Sequence, residues 1–270
     1  MPRSSSSFLP ATLLVVSGSL LLPAPSPADE RGNGVSGFVA AGVGVTPDYE
    51  GSSDYEPVPL IIGQIEAFDL GFEFQGLTAR LNVRPDAAFQ FGPVVSFRPG
   101  RDDVSNDTVD ELADIDDTVE VGGFFRYVLD DLFRSGDELE LGVEVLADVG
   151  DAHEGLTAGL SLGYAMTFGE RWRLGFDTGA TYATDDYMQT YFGIDAVDAG
   201  RSGLPVFDAD AGFKDVGVGA TLSYNFSDRW GAFGRVAYTR LIGDAADSPV
   251  VDDEGSADQF FAGLAISYRF

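Results

Sequence analysis

The sequence predicts an all-β protein, a transmembrane antiparallel up-and-down β-barrel of about twelve strands. Three observations predict it. Apolar residues alternate strictly with small or polar ones over strand-length segments, the connections alternate between tight turns and long acidic loops, and aromatic rings sit at both ends of the apolar faces.

The alternation is plainest in VGVGATLSYNF, residues 216–226, where Val216, Val218, Ala220, Leu222, Tyr224 and Phe226 share one side and Gly217, Gly219, Thr221, Ser223 and Asn225 the other. Period two marks a strand whose two faces meet different media. A soluble sandwich shows the same period, so the strand alone does not choose between water and lipid. Residues 156–168, 172–182 and 258–270 repeat the pattern with the same residue types. In chain order the predicted strands are 34–46, 57–65, 67–75, 76–84, 86–98, 118–129, 137–148, 154–168, 172–183, 213–226, 230–242 and 258–270. No strand is followed by a segment of helical period, which predicts a meander rather than βαβ units.

The connections decide the medium. Short turns fall near residue 66, at Arg84–Asp86, at Glu170 before Arg171 and at Asp228 before Arg229. Between them come long loops at 99–117, 184–212 and 243–257. Short turns at one end and long loops at the other is the layout of an outer-membrane barrel. Two connections depart from it: the one at 75–76 is short on the long-loop end, and the one at 130–137 is long on the short-turn end. Trp172 and Tyr182 bracket one strand, Trp230 and Tyr238 another, and Tyr268 and Phe270 close the last, as interfacial girdles require. On this reading Val216 to Phe226, in steps of two, face lipid, and closure into a barrel leaves no backbone group unpaired in hydrocarbon.

Composition narrows the function. The net charge of −28 argues against nucleic acid as a partner, which needs clustered Lys and Arg. At 44% hydrophobic and 12% aromatic the chain is too apolar for a disordered acidic protein. It has no cysteine, so disulfides contribute nothing. Arg3, the apolar stretch of residues 13–23 and the small residues ending at Ala28 read as a secretory signal peptide over residues 1–28. Cleavage after Ala28 leaves residues 29–270, from Asp29, as a single barrel domain.

The wording of several segments carries a resemblance. TPDYEGSSDYEPVPL at 46–60, DDTVEVGGFF at 116–125, YFGID at 191–195, RSGLPVFDADAGFKDVGVG at 201–219, RWGAFGRVAYTRLIGDAADSPVV at 229–251 and the closing FFAGLAISYRF resemble the MltA-interacting protein (MipA/OmpV) family of outer-membrane barrels. The resemblance covers essentially the whole mature chain and is most specific from 191 to 270. It implies an outer-membrane protein of a Gram-negative bacterium. One member is described as a scaffold joining a murein transglycosylase to a peptidoglycan synthase, and others as osmoregulated, adhesive or pore-like. It brings no catalytic motif. The strand ending in Phe270 also resembles the C-terminal signal read by the barrel-assembly machinery.

The chemistry-bearing residues are few. His153 is the only histidine, near Asp148, Asp151 and Glu154, and reads as a solvated loop residue rather than part of a triad. The acidic runs DDVSND and VDDEGSAD lack EF-hand spacing and read as solvated faces that keep the cell-surface side soluble, or as carboxylates that share loosely held divalent ions with neighbouring lipopolysaccharide. No residue receives a catalytic, cofactor-binding or metal assignment. Alternation points Arg80, Arg84, Arg98, Arg126, Arg173, Arg235 and Arg269 inward, with Asp69, Glu73, Glu120, Glu140, Glu144, Asp177 and Asp215, which predicts a near-neutral lumen of ion pairs. Twelve strands lie between the filled barrel of eight and the open one of sixteen, so the lumen is either narrow and wet or plugged.

The expected function is a non-enzymatic, monomeric structural or scaffolding barrel linking peptidoglycan-remodelling enzymes to the outer membrane. A narrow channel for small polar solutes is the alternative, and a lipid-modifying barrel enzyme the weaker one. The expected partners are outer-membrane lipids and lipopolysaccharide, with the transglycosylase and synthase docking on a periplasmic rim of mixed or basic character that carries Arg84, Arg134, Arg171 and Arg229.

Overall fold

Alternation obliges each strand to give one face to the inside of the sheet. The computed structural model, which describes residues 34–270, satisfies that by closure. Its strands are β1 (Ser36–Pro47), β2 (Tyr55–Ala67), β3 (Leu70–Gln75), β4 (Thr78–Asn82), β5 (Phe89–Arg98), β6 (Thr118–Asp130), β7 (Asp137–Asp148), β8 (Leu156–Phe168), β9 (Trp172–Ala183), β10 (Gly212–Asn225), β11 (Trp230–Leu241) and β12 (Asp258–Arg269). Each pairs antiparallel with its chain neighbours, and β12 pairs with β1, Phe38 opposite Arg269 and Val45 opposite Ala262. All twelve predicted strands are present, and the barrel is all-β and closed. The predicted signal peptide, residues 1–28, and the expected mature start at Asp29 lie outside the described residues.

The faces fall as alternation requires. On β10, Val216, Val218 and Leu222 are 43%, 53% and 42% exposed, while Thr221 and Ser223 are 2% and 3%. Exposed aliphatic side chains in a continuous band, on a sheet without edges, are a lipid-facing wall. Rings mark its limits. Trp172 packs against Tyr224 with centroids 4.5 Å apart and Trp230 against Tyr268 at 4.8 Å, all at the short-turn end. Tyr182 meets Phe213 at 5.7 Å and Tyr238 meets Phe260 at 5.1 Å, at the long-loop end.

Three expectations are corrected. First, the long loops are more than solvated faces: Asp102, Asp103, Asp107, Asp252 and Asp253 are exposed as expected, but the loops also hold α1 (Asp107–Asp110), α2 (Asp185–Phe192), α3 (Ala196–Ser202), α4 (Asp244–Asp247) and α5 (Pro249–Asp252). None of these exceeds about two turns, too few to show a helical period in the sequence. They form a cap with its own apolar core, in which Tyr187, Met188 and Phe192 of α2 pack with Leu241, Ala245 and Val251. Second, Asp69 and Arg84 do not point into the lumen; both are exposed in short-end turns. Third, β10 carries a bulge between Phe213 and Asp215, so Lys214 and Asp215 are both buried. A bulge adds one residue and breaks the period locally, which hid Lys214 from the count of inward charges.

Candidate functional site

The residues with the most concentrated chemistry lie where the cap meets the barrel. The bulge on β10 places Lys214 Nζ against Asp215, 2.7 Å away, and against Glu50, from the turn between β1 and β2. The Tyr187 hydroxyl of α2 donates to the second Glu50 oxygen at 2.8 Å. Lys214 Nζ also lies 5.6 Å from the Tyr187 ring centre. Arg98, at the end of β5, lies over the rings of Tyr187 and Tyr191, 5.1 and 5.7 Å from their centres, and its Nε donates to Glu120 of β6 at 3.1 Å. A helix of the cap is thus fastened to the wall by cation–π and charge-assisted contacts rather than by apolar packing alone.

His153 belongs to this centre, contrary to the solvated-loop expectation: it is 2% exposed. Its Nδ1 accepts the Gly155 N–H at 3.1 Å, which leaves Nε2 to carry the proton facing Glu120 Oε1 at 3.2 Å. Its ring meets Tyr187 edge-on at 5.0 Å. Asp148 does not face the imidazole. Its carboxylate accepts the Thr118 hydroxyl and the backbone N–H groups of Gly150, His153 and Glu154, so it shapes the turn. The two acidic runs are joined likewise: Asn106 of the first caps α1 and donates to Glu254 of the second. Among the described residues no three His, Cys, Asp or Glu side chains are placed to hold a metal ion.

Burial by itself would raise the Glu50 carboxyl, but Lys214 and Arg98 outweigh it and hold the group below the ordinary carboxylate value. A carboxyl held low contributes stability that is complete above the unfolded value and is lost as pH falls through the folded one. Acidification below about pH 4 is therefore expected to loosen the α2 contact. In Lys214→Met the carboxyl keeps only Arg98 and the Tyr187 hydroxyl against burial, so the loosening on acidification is expected to shrink. Protease nicking of the 184–212 loop across pH checks this; an equal rise on acidification in both proteins contradicts this account of the latch.

Below the cap the lumen is crossed by ion pairs. Arg80 of β4 reaches Glu144 of β7 at 2.6 Å, and Arg126 of β6 reaches Glu73 of β3 at 2.6 Å and Glu140 at 3.6 Å. In each of the first two pairs the strands are three positions apart in the barrel order, so the side chains bridge space rather than neighbouring strands. Arg235 of β11 forms a two-pronged pair with Asp177 of β9 at 2.6 and 2.8 Å, and Arg173 of β9 approaches Glu138 of β7 at 3.3 Å. Of the predicted set, Arg80, Arg98, Arg126, Arg173 and Arg235 are thereby brought to acids, while Asp69 and Arg84 stay in the short-end turns. Glu138 shares the inward face of β7 with Glu140 and Glu144, and Glu50 and Lys214 are the charges that alternation missed. Under the cap the inward side chains Glu120, Thr239 and Gln259 are 1–2% exposed, whereas the crossing Arg80–Glu144 and Arg126–Glu73 side chains keep 14–20%, so the bore is obstructed but still reached by water.

At the other end the short turns present exposed aromatics. Phe68 is 90% and Phe133 75% exposed. Each arginine of the rim has an acid beside it in sequence: Asp86 near Arg84, Asp131 near Arg134, Glu170 before Arg171 and Asp228 before Arg229. The rim is mixed in charge rather than basic.

The chain matches the family described as MltA-interacting protein MipA over residues 39–270. It is 36% identical over 92 residues to the outer membrane protein OmpV of Vibrio cholerae, covering 34% of each chain. It is 27% identical over 92 residues to the MltA-interacting protein of Escherichia coli, covering 34% of this chain and 36% of that one. The matched stretch thus spans about a third of the length of these relatives. Among solved structures the NanC porin aligns with a TM-score of 0.46 and 7% identity, over 86% of this chain and 100% of that one.

Proposed function

The chain belongs to the MltA-interacting protein family and is an outer-membrane barrel, and from that premise we propose that it serves as a non-enzymatic structural or scaffolding element of the cell envelope. On the same reading residues 1–28 are a cleaved export signal and residues 29–270 one barrel domain. The observation that carries the proposal is the obstructed lumen. Ion pairs cross it and a packed cap covers one end, which favours a rigid anchor over a conduit. His153 supports the non-enzymatic part, because its Nδ1 accepts a backbone N–H and its Nε2 faces Glu120, so among the described residues neither nitrogen is placed to activate a nucleophile.

A barrel of this kind acts through its ends. The name of the E. coli relative says that it interacts with MltA, and we extend to this chain a periplasmic partner of the murein transglycosylase or peptidoglycan synthase class, docked on the short-turn rim. Phe68 supports that placement. It and Asp69 have φ of 57° and 59°, the left-handed pair of a two-residue hairpin turn that suits Asn-Gly. A bulky side chain there costs about 1–2 kcal/mol, and the ring, 90% exposed, gains no burial among the described residues that would offset it. Phe133 is held by an ordered turn, with Asp137 accepting its N–H at 3.1 Å. Rigid exposed aromatics of this kind anchor protein interfaces.

In planar bilayers the intact protein is expected to be electrically silent; stable conductance steps would return the channel to first place. Photocrosslinkers at Phe133, and at Val197 on the cap, 66% exposed, separate the two ends. Capture of peptidoglycan enzymes from Phe133 alone supports scaffolding, and their absence, or equal capture at both positions, removes it. Ala245, in the last long loop, is fully buried and is unsuitable as the cap probe.

A further inference from the structure

The lipid-facing wall of a closed barrel is convex, yet here it holds a trough of about 550 Å³. It crosses the outer face of β1, β12, β11 and β10, where Ala262, Val236 and Ala220 are register partners in one row and Val43, Leu264 and Gly234 in the next. The floor is low because Ala262, Ala220 and Gly234 carry little or no side chain. That floor runs in a zigzag from Ala262 through Gly234 to Ala220, with Val236 standing on one side of it and Leu264 and Leu222 on the other, 59%, 69% and 42% exposed. The trough lies between the two levels of rings, Tyr238 and Phe260 on one side and Trp230 and Tyr268 on the other. It is therefore in the hydrocarbon layer. Four strands at about 4.8 Å spacing make it roughly 15–20 Å long, the length of a medium acyl chain.

A second observation lies directly above it. On β11 and β12, at the long-loop end, Arg240 and Asp258 are register partners on the outward face. Arg240 Nη1 lies 2.7 Å from Asp258 Oδ2, each side chain still 47% and 46% exposed, and the Tyr238 hydroxyl donates to the same carboxylate. Here a guanidinium, a carboxylate and a phenol sit at headgroup level on the very strands that carry the trough. Arg240 is four residues from Val236, about 13 Å along the strand. The arrangement offers a donor for phosphate and an acceptor for sugar hydroxyls at the top of a groove for hydrocarbon.

We propose that this wall is a binding site for one phosphorylated, acylated glycolipid of the outer leaflet, its phosphate on Arg240, its sugar hydroxyls on Asp258 and one acyl chain in the trough. Long loops face outward in such barrels, which places the site in the glycolipid leaflet and not the phospholipid one. The inference rests on the outer-membrane location and is independent of scaffolding.

Native mass spectrometry of the full-length protein in mild detergent, with lipid A or phosphatidylglycerol added at matched concentration, tests it. The wild type is expected to retain one lipid A at concentrations where phosphatidylglycerol is lost. Ala262→Phe fills the trough with a side chain that points into lipid and leaves the barrel interior untouched. It is expected to weaken lipid A retention about tenfold or more, since each buried methylene contributes about 0.8 kcal/mol. Arg240→Gln is expected to remove the preference for lipid A over phosphatidylglycerol. Val143→Phe, outward on the opposite wall, is the control and is expected to change nothing. Heat-dependent gel migration confirms that each variant is assembled. Equal retention of the two lipids by the wild type, retention unaffected by Ala262→Phe, or a second copy of the chain in place of lipid would each overturn the proposal.

Discussion

Truncation after Ser267 is expected to reduce the assembled fraction of the protein at least about tenfold. The segment removed, Tyr268 to Phe270, closes the seam of the barrel. Gly37 N–H donates to the Phe270 carbonyl at 3.2 Å, Phe270 N–H to the Gly37 carbonyl at 3.1 Å, and Arg269 N–H to the Arg229 carbonyl at 2.7 Å. Tyr268 pairs with Val39 on one side and Trp230 on the other. A backbone group left without a partner at the membrane costs several kcal/mol, and 1.4 kcal/mol already shifts an equilibrium tenfold. The loss also strips the Trp230 ring of its neighbour. The measurement is the fraction that migrates faster without boiling than with it. Phe270→Tyr, which keeps the backbone and an aromatic ring, is the control and is expected to assemble normally. Ordinary assembly of the truncated chain would mean that β1 and β11 hold the seam without the end of β12.

What alternation could and could not reveal follows from its local nature. The twelve strands were legible because residues such as Val216 and Thr221 are sorted by medium, and sorting by medium leaves a period of two. Arg80, Arg126 and Arg235 were legible as inward for the same reason, although their partners were not: Glu144 and Glu73 lie three strands away from their arginines. Lys214 escaped because the bulge beside it slips the period by one residue. Glu50, Tyr187 and His153 escaped because their burial is produced by a loop folding back over the barrel mouth. The cap core, Met188 against Leu241 and Val251, joins residues whose separation in sequence carries no periodic signal. Its one local hint is Gly51, with φ of 100° and a missing Cβ that would lie 2.6 Å from Val251 Cγ2.

The pair inside β9–β11 should show the second large effect. Asp177→Ala is expected to lower the unfolding free energy by about 3–5 kcal/mol, the usual consequence of leaving one member of a buried ion pair alone. The Arg235 and Asp177 side chains are 6% and 3% exposed, and without the carboxylate the guanidinium keeps only the Thr221 hydroxyl, at 3.2 Å. Replacing both partners with apolar residues, Asp177→Leu with Arg235→Met, is expected to recover most of that loss, because no uncompensated charge remains. The two residues lie on strands either side of β10, so their contact passes over it at Gly219, the register partner of Asp177. A Cβ there would come within 2.6 Å of both Arg235 Nη2 and Asp177 Oδ2. Gly219→Ala should therefore cost about 1–3 kcal/mol by overpacking, and distinctly less when Asp177 has already been removed. Urea unfolding in lipid vesicles measures all four proteins. Additive losses for Gly219→Ala and Asp177→Ala would show that the glycine serves the backbone and not the ion pair. A double apolar variant no better than Asp177→Ala alone would show that the pair contributes through geometry and not through the balance of buried charge.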